Sequence, residues 1–208
     1  MLKVFNNRTE HTHENEQFRR VAEIIEISFN KYGYNGILIG NPFNETYYRF
    51  RADAILYYSN GLILIDFKDY KGIIKLPQNS NEFSSNKWYN ESINDRTRLE
   101  IKAGASFINP FRQLVSYRNA FREILENNKY LNGINPARVC IANIFSGPIE
   151  VHNEVPRNLP YYKLIQELEL ANFIYDFASE NTYEEDIAKV LKSIFPAERW
   201  DKSLEISI

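Results

Sequence analysis

The feature that most restricts the fold is the Asn60-Gly61 pair, set between the alternating segment from Tyr47 to Tyr58 and the unbroken apolar run from Leu62 to Phe67. Both central residues of a two-residue hairpin loop need positive φ, which Asn and Gly adopt at least cost, so the flanking segments are expected to fold back as antiparallel strands. With Asn60 and Gly61 as the loop, Ser59 faces Leu62, Ile55 faces Asp66 and Asp53 faces Lys68. Strand side chains alternate, so Asp66 and Lys68 share a face and Asp53 joins them. The two aspartates are then diagonal neighbours at roughly 7–8 Å between backbones. A third strand from Ile73 to Leu76, after the turn Tyr70-Lys71-Gly72, extends this to a meander.

Helical periodicity frames the hairpin. Phe18, Val21, Ala22, Ile25 and Phe29 fall on one face between Glu14 and Asn30, with Gly33 as the stop. A second helix is expected from Asn109, an N-cap type, followed by Pro110 at the first helical position and continuing through Leu114, Tyr117, Phe121, Ile124 and Leu125. Gly36 to Gly40 reads as a short strand or turn and Ala137 to Phe145 as a buried strand. The polar stretch from Pro77 to Ser106 reads as loops with a short hairpin, and Tyr161 to Ala178 and Tyr183 to Ile194 as two closing helices. The order αβββαβ followed by helices predicts an α/β (α+β) domain, a small mixed sheet flanked by helices with extra C-terminal helices. Residues 1–13 are expected to be a disordered or extended leader, 14–150 the core, and 151–208 a C-terminal helical extension of the same domain.

A chain of 208 residues with 44% hydrophobic content is long enough for one substantial core. Its formal charge of −2 excludes nucleic-acid binding by overall basicity and leaves any phosphate contact to local Lys and Arg clusters. The lone Cys140, inside an apolar run, allows neither an internal disulfide nor a zinc set, which fits a reducing, cytoplasmic setting. Apolar stretches are too short for a signal peptide core or a membrane span, so no membrane partner is expected.

Two carboxylates beside a sheet of Leu, Ile and Tyr cost stability through desolvation and mutual repulsion unless a cation compensates. Hard oxygen ligands without Cys or a paired His point to Mg²⁺ or Mn²⁺. An ion held there activates water and neutralises charge building on a phosphodiester, while Lys68 orients that water or stabilises the developing oxyanion. The bland alternative is an ordinary cross-strand ion pair between Asp53 and Lys68, with Asp66 ending the strand.

The run Asp53-Ala54-Ile55, the Asn-Gly hairpin, Ile65-Asp66-Phe67-Lys68-Asp69-Tyr70-Lys71-Gly72, the later Trp88, and Asn109-Pro110-Phe111-Arg112-Gln113 occur in an order that resembles the nuclease-related domain (NERD) family of the PD-(D/E)XK nuclease superfamily. The resemblance covers roughly Glu14 to Phe145. It implies a restriction-endonuclease-like core and a metal-dependent DNA nuclease, with Asp53 and Asp66 as Mg²⁺ (or Mn²⁺) ligands, the carbonyl of Phe67 as a further ligand, Lys68 as the catalytic lysine and Gln113 as the helix residue reaching the site. Asp66 stands where many members carry Glu, and residues 90–106 look like an insertion. The family also implies an acid on the first helix: Glu14 shares the face of Phe18 and Val21, whereas Glu16 and Glu23 project away. Family members resemble accessory modules of helicases or plasmid and defence proteins, so DNA and a helicase domain or subunit are the implied partners. The competing expectation is a catalytically inactive nuclease-like module that binds DNA or protein.

Lys71, Lys75, Lys87, Arg96, Arg98 and Lys102 ring the expected mouth of the site, where Lys71 and Lys75 are candidates to track a DNA backbone. Trp88, like Tyr70, is a candidate for stacking on an unpaired base, against the alternative that it belongs to the core. His11 and His13 lie in the polar leader and read as disordered rather than as a metal pair.

Overall fold

The computed structural model describes residues 1–59, 61–92, 97–104, 106–179 and 183–200. In chain order its elements are β1 (Leu2–Asn6), α1 (Thr12–Tyr32), β2 (Gly36–Gly40), β3 (Ala54–Tyr58), β4 (Gly61–Lys68), β5 (Gly72–Lys75), β6 (Tyr89–Glu91), β7 (Arg98–Glu100), α2 (Pro110–Asn127), β8 (Val139–Phe145), β9 (Ile149–His152), β10 (Tyr162–Gln166), α3 (Leu170–Phe177), α4 (Glu185–Ile194) and β11 (Glu198–Arg199). They form a mixed seven-stranded sheet in the order β10-β8-β4-β3-β2-β1-β11 and a four-stranded sheet in the order β7-β6-β5-β9. The large sheet carries an apolar cluster on each face. One includes Phe18, Val21, Ile25 and Phe29 of α1 with Phe173 and Ile174 of α3. The other includes Leu114, Tyr117, Phe121 and Ile124 of α2, Ile187 and Leu191 of α4, and Ile74 and Trp88 from the small sheet and its approach.

Both long helices form where their local chemistry predicts. The five apolar residues of α1 are buried, and Gly33 ends it in the left-handed region at φ 71°, its N–H returning to the carbonyl of Phe29. At α2 the Asn109 side chain accepts from the Arg112 N–H at 2.9 Å, and Pro110 sits where no intrahelical donor is needed. The Asn109 amide also donates to the carbonyls of Phe83 and Asn86, so the cap fastens α2 to the segment that carries Trp88.

The hairpin forms, but two residues out of the expected register. Gly61 pairs with Tyr58, Leu62 with Tyr57, and Ile55 faces Leu64 rather than Asp66. The turn therefore follows Tyr58, with Ser59 at φ 49° and Gly61 already in β4, and the expected turn residue Asn60 lies outside the described residues. Gly61 serves close packing instead, since a Cβ there would lie 2.6 Å from Cζ of Phe177. A shift of two preserves the faces, because the side-chain period is two.

Four further expectations are corrected or narrowed. Tyr47 to Asp53 is not strand: Asn44, Tyr47 and Phe50 are joined by turn hydrogen bonds, and the ladder begins at Ala54. The meander ends at Lys68, because β8 takes the place beside β4 in parallel while β5 turns away at Gly72 (φ 95°) to pair with β6 and β9. The leader, expected as disordered or extended, is extended and paired rather than disordered, since β1 runs parallel to β2 and antiparallel to β11. Finally, the first part of the segment expected as one helix from Tyr161 to Ala178 is β10, parallel to β8. Tyr162 is buried and Lys163 exposed there, and the unpaired edge of β8 offers backbone partners that a helix cannot use.

Candidate metal and catalytic centre

Strand β4 runs between β3 and β8 and is buried along its whole length. Leu62 and Leu64 face the α2 layer, so the same alternation turns Asp66 and Lys68 toward α2 at the strand's end. Asp66 is 1% exposed and Lys68 8%. The Lys68 ammonium lies 2.8 Å from Asp66 Oδ2 and donates at 3.3 Å to Oε1 of Gln113, whose own amide donates to the Tyr117 hydroxyl. Gln113 is thus buried in the first turn of α2 and reaches the lysine.

Asp53 arrives by a different route. Ala54 is the ladder partner of Ile65, yet the Asp53 N–H also donates to the Ile65 carbonyl, a bulge-like offset of the kind that re-aims a side chain. The half-buried Asp53 carboxylate then accepts the Phe67 N–H on Oδ2 at 2.6 Å. Phe67 therefore enters the site through its backbone, while its ring joins the α1 layer.

Burial, followed by repulsion from Asp66, pushes Asp53 from an ordinary 3.8 up to about 8, against the partial relief of Lys68 and the Phe67 N–H. Asp66 is raised as well, chiefly by burial. Burial works to lower Lys68, but attraction to Asp66 and Asp53 outweighs it and holds the ammonium above its usual range. Glu14 is half-buried at the start of α1 and accepts the Thr9 hydroxyl. Its charge is felt at both Asp53 and Asp66, whereas the exposed Glu16 acts on Arg20 and Glu23 is simply exposed.

The carboxyl shifts have a measurable sign. Between about pH 4 and pH 8 the unfolded chain has released the Asp53 proton that the folded chain still holds, so metal-free stability falls as pH rises through that window. Lys68 titrates above the window and does not reverse the slope. Thermal unfolding in EDTA should give a Tm that declines from pH 5 to pH 8 more steeply in the wild type than in Asp53→Asn. Parallel slopes would contradict the assignment of that proton to Asp53.

Two residues at this site carry no motif signature. Asn143, fully buried opposite Asp66 on β8, donates from Nδ2 to Asp66 Oδ2 at 2.6 Å, and its Oδ1 accepts the Tyr162 hydroxyl at 2.8 Å. The available sequence signal was a single amide inside the apolar strand Val139–Phe145, a burial that requires a partner. Gln17, buried on the apolar face of α1, ties that helix to the Ile144 carbonyl next door.

The basic and aromatic candidates divide. Lys71 is exposed, and its stem covers Gly147. Lys75 pairs with Glu91 at 2.5 Å and, with Lys87, Tyr89 and Arg98, lines an open groove of about 650 Å³. Arg96 lies outside the described residues. Trp88 is corrected: it has no exposed surface, its indole N–H donates to the Phe83 carbonyl, and Phe83 and Tyr162 crowd its ring, so no face is open to a base. Nor is Tyr70 a free ring edge, since its hydroxyl accepts the Lys102 N–H. His11 occupies the N-cap position of α1 without a side-chain capping bond and His13 is in the first turn, rather than in a disordered leader.

The family model of the nuclease-related domain matches residues 11–143, which takes in Glu14, Asp53, Asp66, Phe67, Lys68, Gln113 and Asn143. The chain belongs to the nuclease-related domain family. Comparison with curated proteins and with solved structures gives no match. In this nuclease-related domain no group of three His, Cys, Asp or Glu side chains converges among the described residues. Among these side chains the two aspartates could hold a cation only with main-chain and water oxygens completing the set, as for an ion that keeps several waters. No helix among the described residues is long and apolar enough to cross a membrane.

Proposed function

We propose that this nuclease-related domain is a Mg²⁺- or Mn²⁺-dependent deoxyribonuclease that hydrolyses phosphodiester bonds. One observation carries the reading. Each of the two aspartates has one oxygen held by fixed donors, Asp53 Oδ2 by the Phe67 N–H and Asp66 Oδ2 by Lys68 and Asn143, while among the described residues no donor bonds to either Oδ1. A buried and a half-buried carboxylate that repel each other and keep one oxygen each for a further partner fit a hard divalent cation. Asp53 and Asp66 would hold it, with the Phe67 carbonyl as a third donor and Glu14 adding negative field. When bound, the ion lowers the pKa of a water and offsets charge developing on the phosphoryl oxygens.

The protein's own part is positional. Gln113 and Asp66 hold the Lys68 ammonium at fixed distances, so its charge is aimed before substrate arrives and needs little reorganisation as charge develops. Lys71 and the groove bearing Lys75 supply phosphate contacts for DNA. The half-buried free thiol of Cys140, raised by burial, fits a reducing cytoplasm, and a helicase or defence system is the proposed setting.

The direct contact of Lys68 with Asp66 also supports a second reading, in which the lysine permanently replaces the cation and the domain binds DNA without cutting it. Cleavage assays separate the two. With Mg²⁺ or Mn²⁺ the wild type should cut single- or double-stranded DNA and EDTA should stop it. Lys68→Met should lower the rate on the order of 10²- to 10³-fold while DNA binding persists. Binding without metal-dependent cleavage in the wild type would favour the inactive module.

A further inference from the structure

Asn143 stands where an apolar residue would serve the fold better. It is fully buried on the β8 face that also carries Val139, Ile141 and Phe145, all members of the α2-side cluster. An amide there must find partners for both of its ends. It finds Tyr162 at one end and Asp66 at the other, each at ordinary hydrogen-bond distance.

The chain of bonds has a direction. The Tyr162 hydroxyl is itself fully enclosed and stays protonated, since burial and the nearby Asp66 charge both oppose its ionisation. As donor to Asn143 Oδ1, it leaves Nδ2 turned toward the aspartate. The reversed amide would set a carbonyl oxygen against the carboxylate and lose the bond to Asp66. Position is equally determined, because Asn143 lies directly opposite Asp66 in the parallel ladder of β4 and β8, and Tyr162 comes from the next strand of the same sheet. The Asn143 amide and the Lys68 ammonium then converge on the same oxygen, Oδ2.

We infer that Asn143, oriented by Tyr162, is a positioning residue that locks the Asp66 carboxylate with Oδ2 engaged and Oδ1 presented to the divalent cation. The inference rests on the metal-dependent reading above and adds a residue pair to it. Partners that orient a metal ligand are commonly worth ~10- to 100-fold in metal affinity.

The test is a calorimetric titration of the full chain with MnCl₂ alone, alongside thermal unfolding in EDTA. Asn143→Leu, similar in volume but without the amide, should weaken Mn²⁺ binding on the order of 10- to 100-fold. Tyr162→Phe, which removes only the hydroxyl, should weaken it by a smaller factor in the same direction. A purely structural role would lower Tm in EDTA but leave Mn²⁺ affinity as in the wild type, and that result overturns the inference while the metal reading stands. If Asn143→Leu does not fold, Tyr162→Phe decides alone. If the wild type binds Mn²⁺ no better than Asp66→Asn, the metal reading itself fails and this inference falls with it.

Discussion

Asp66→Asn is expected to remove divalent-dependent DNA cleavage to the assay background while the protein stays folded. The aspartate offers the only carboxylate on β4, and the substitution keeps its shape but removes the charge that a hard cation requires. The Asn143 amide still has an oxygen to donate to, and Lys68 keeps Gln113 and an amide oxygen in place of the carboxylate. Truncation is the worse choice. Asp66→Ala strips the buried ammonium of its 2.8 Å partner, and leaving a buried charge uncompensated costs about 3–5 kcal/mol. Activity and urea denaturation of both variants should be measured together. Asp66→Asn that cuts DNA at the wild-type rate would remove this residue from the proposed centre.

The second large effect concerns stability. Trp88→Ala should cost about 3–5 kcal/mol, the usual range for deleting a large buried aromatic side chain. The ring is wholly enclosed, 4.9 Å from Phe83 and 6.3 Å from Tyr162 between centroids, and its N–H bond to the Phe83 carbonyl leaves that oxygen to Asn109 alone when lost. Trp88 thereby links the small sheet, the cap of α2 and the tyrosine behind Asn143. Equilibrium unfolding in urea should show the loss, and DNA binding measured where the variant remains folded should be unchanged. A stable variant with weakened binding to single-stranded DNA would instead return Trp88 to the role of a stacking surface.

What local chemistry could dictate was legible in the chain. The face of α1, its Gly33 stop, the Asn109-Pro110 start of α2, the existence of the hairpin and the shared face of Asp66 and Lys68 all depend on residues a few positions apart. The order of motifs was sufficient to indicate the nuclease-related domain family. Neighbours distant in sequence decided the rest. Phe177 occupies the space a side chain at position 61 would need, and Gly61 stands in β4 opposite Tyr58 instead of in the turn. The free edge of β8 made Tyr162–Gln166 a strand, which is how Tyr162 came to stand behind Asn143 and Asn143 behind Asp66. Periodicity reports which side of an element is apolar, but not which other element covers it. Strand register, the burial of Trp88 and the hydrogen-bond chain into Asp66 were settled only when separated segments competed for the same surfaces and the same unpaired backbone groups.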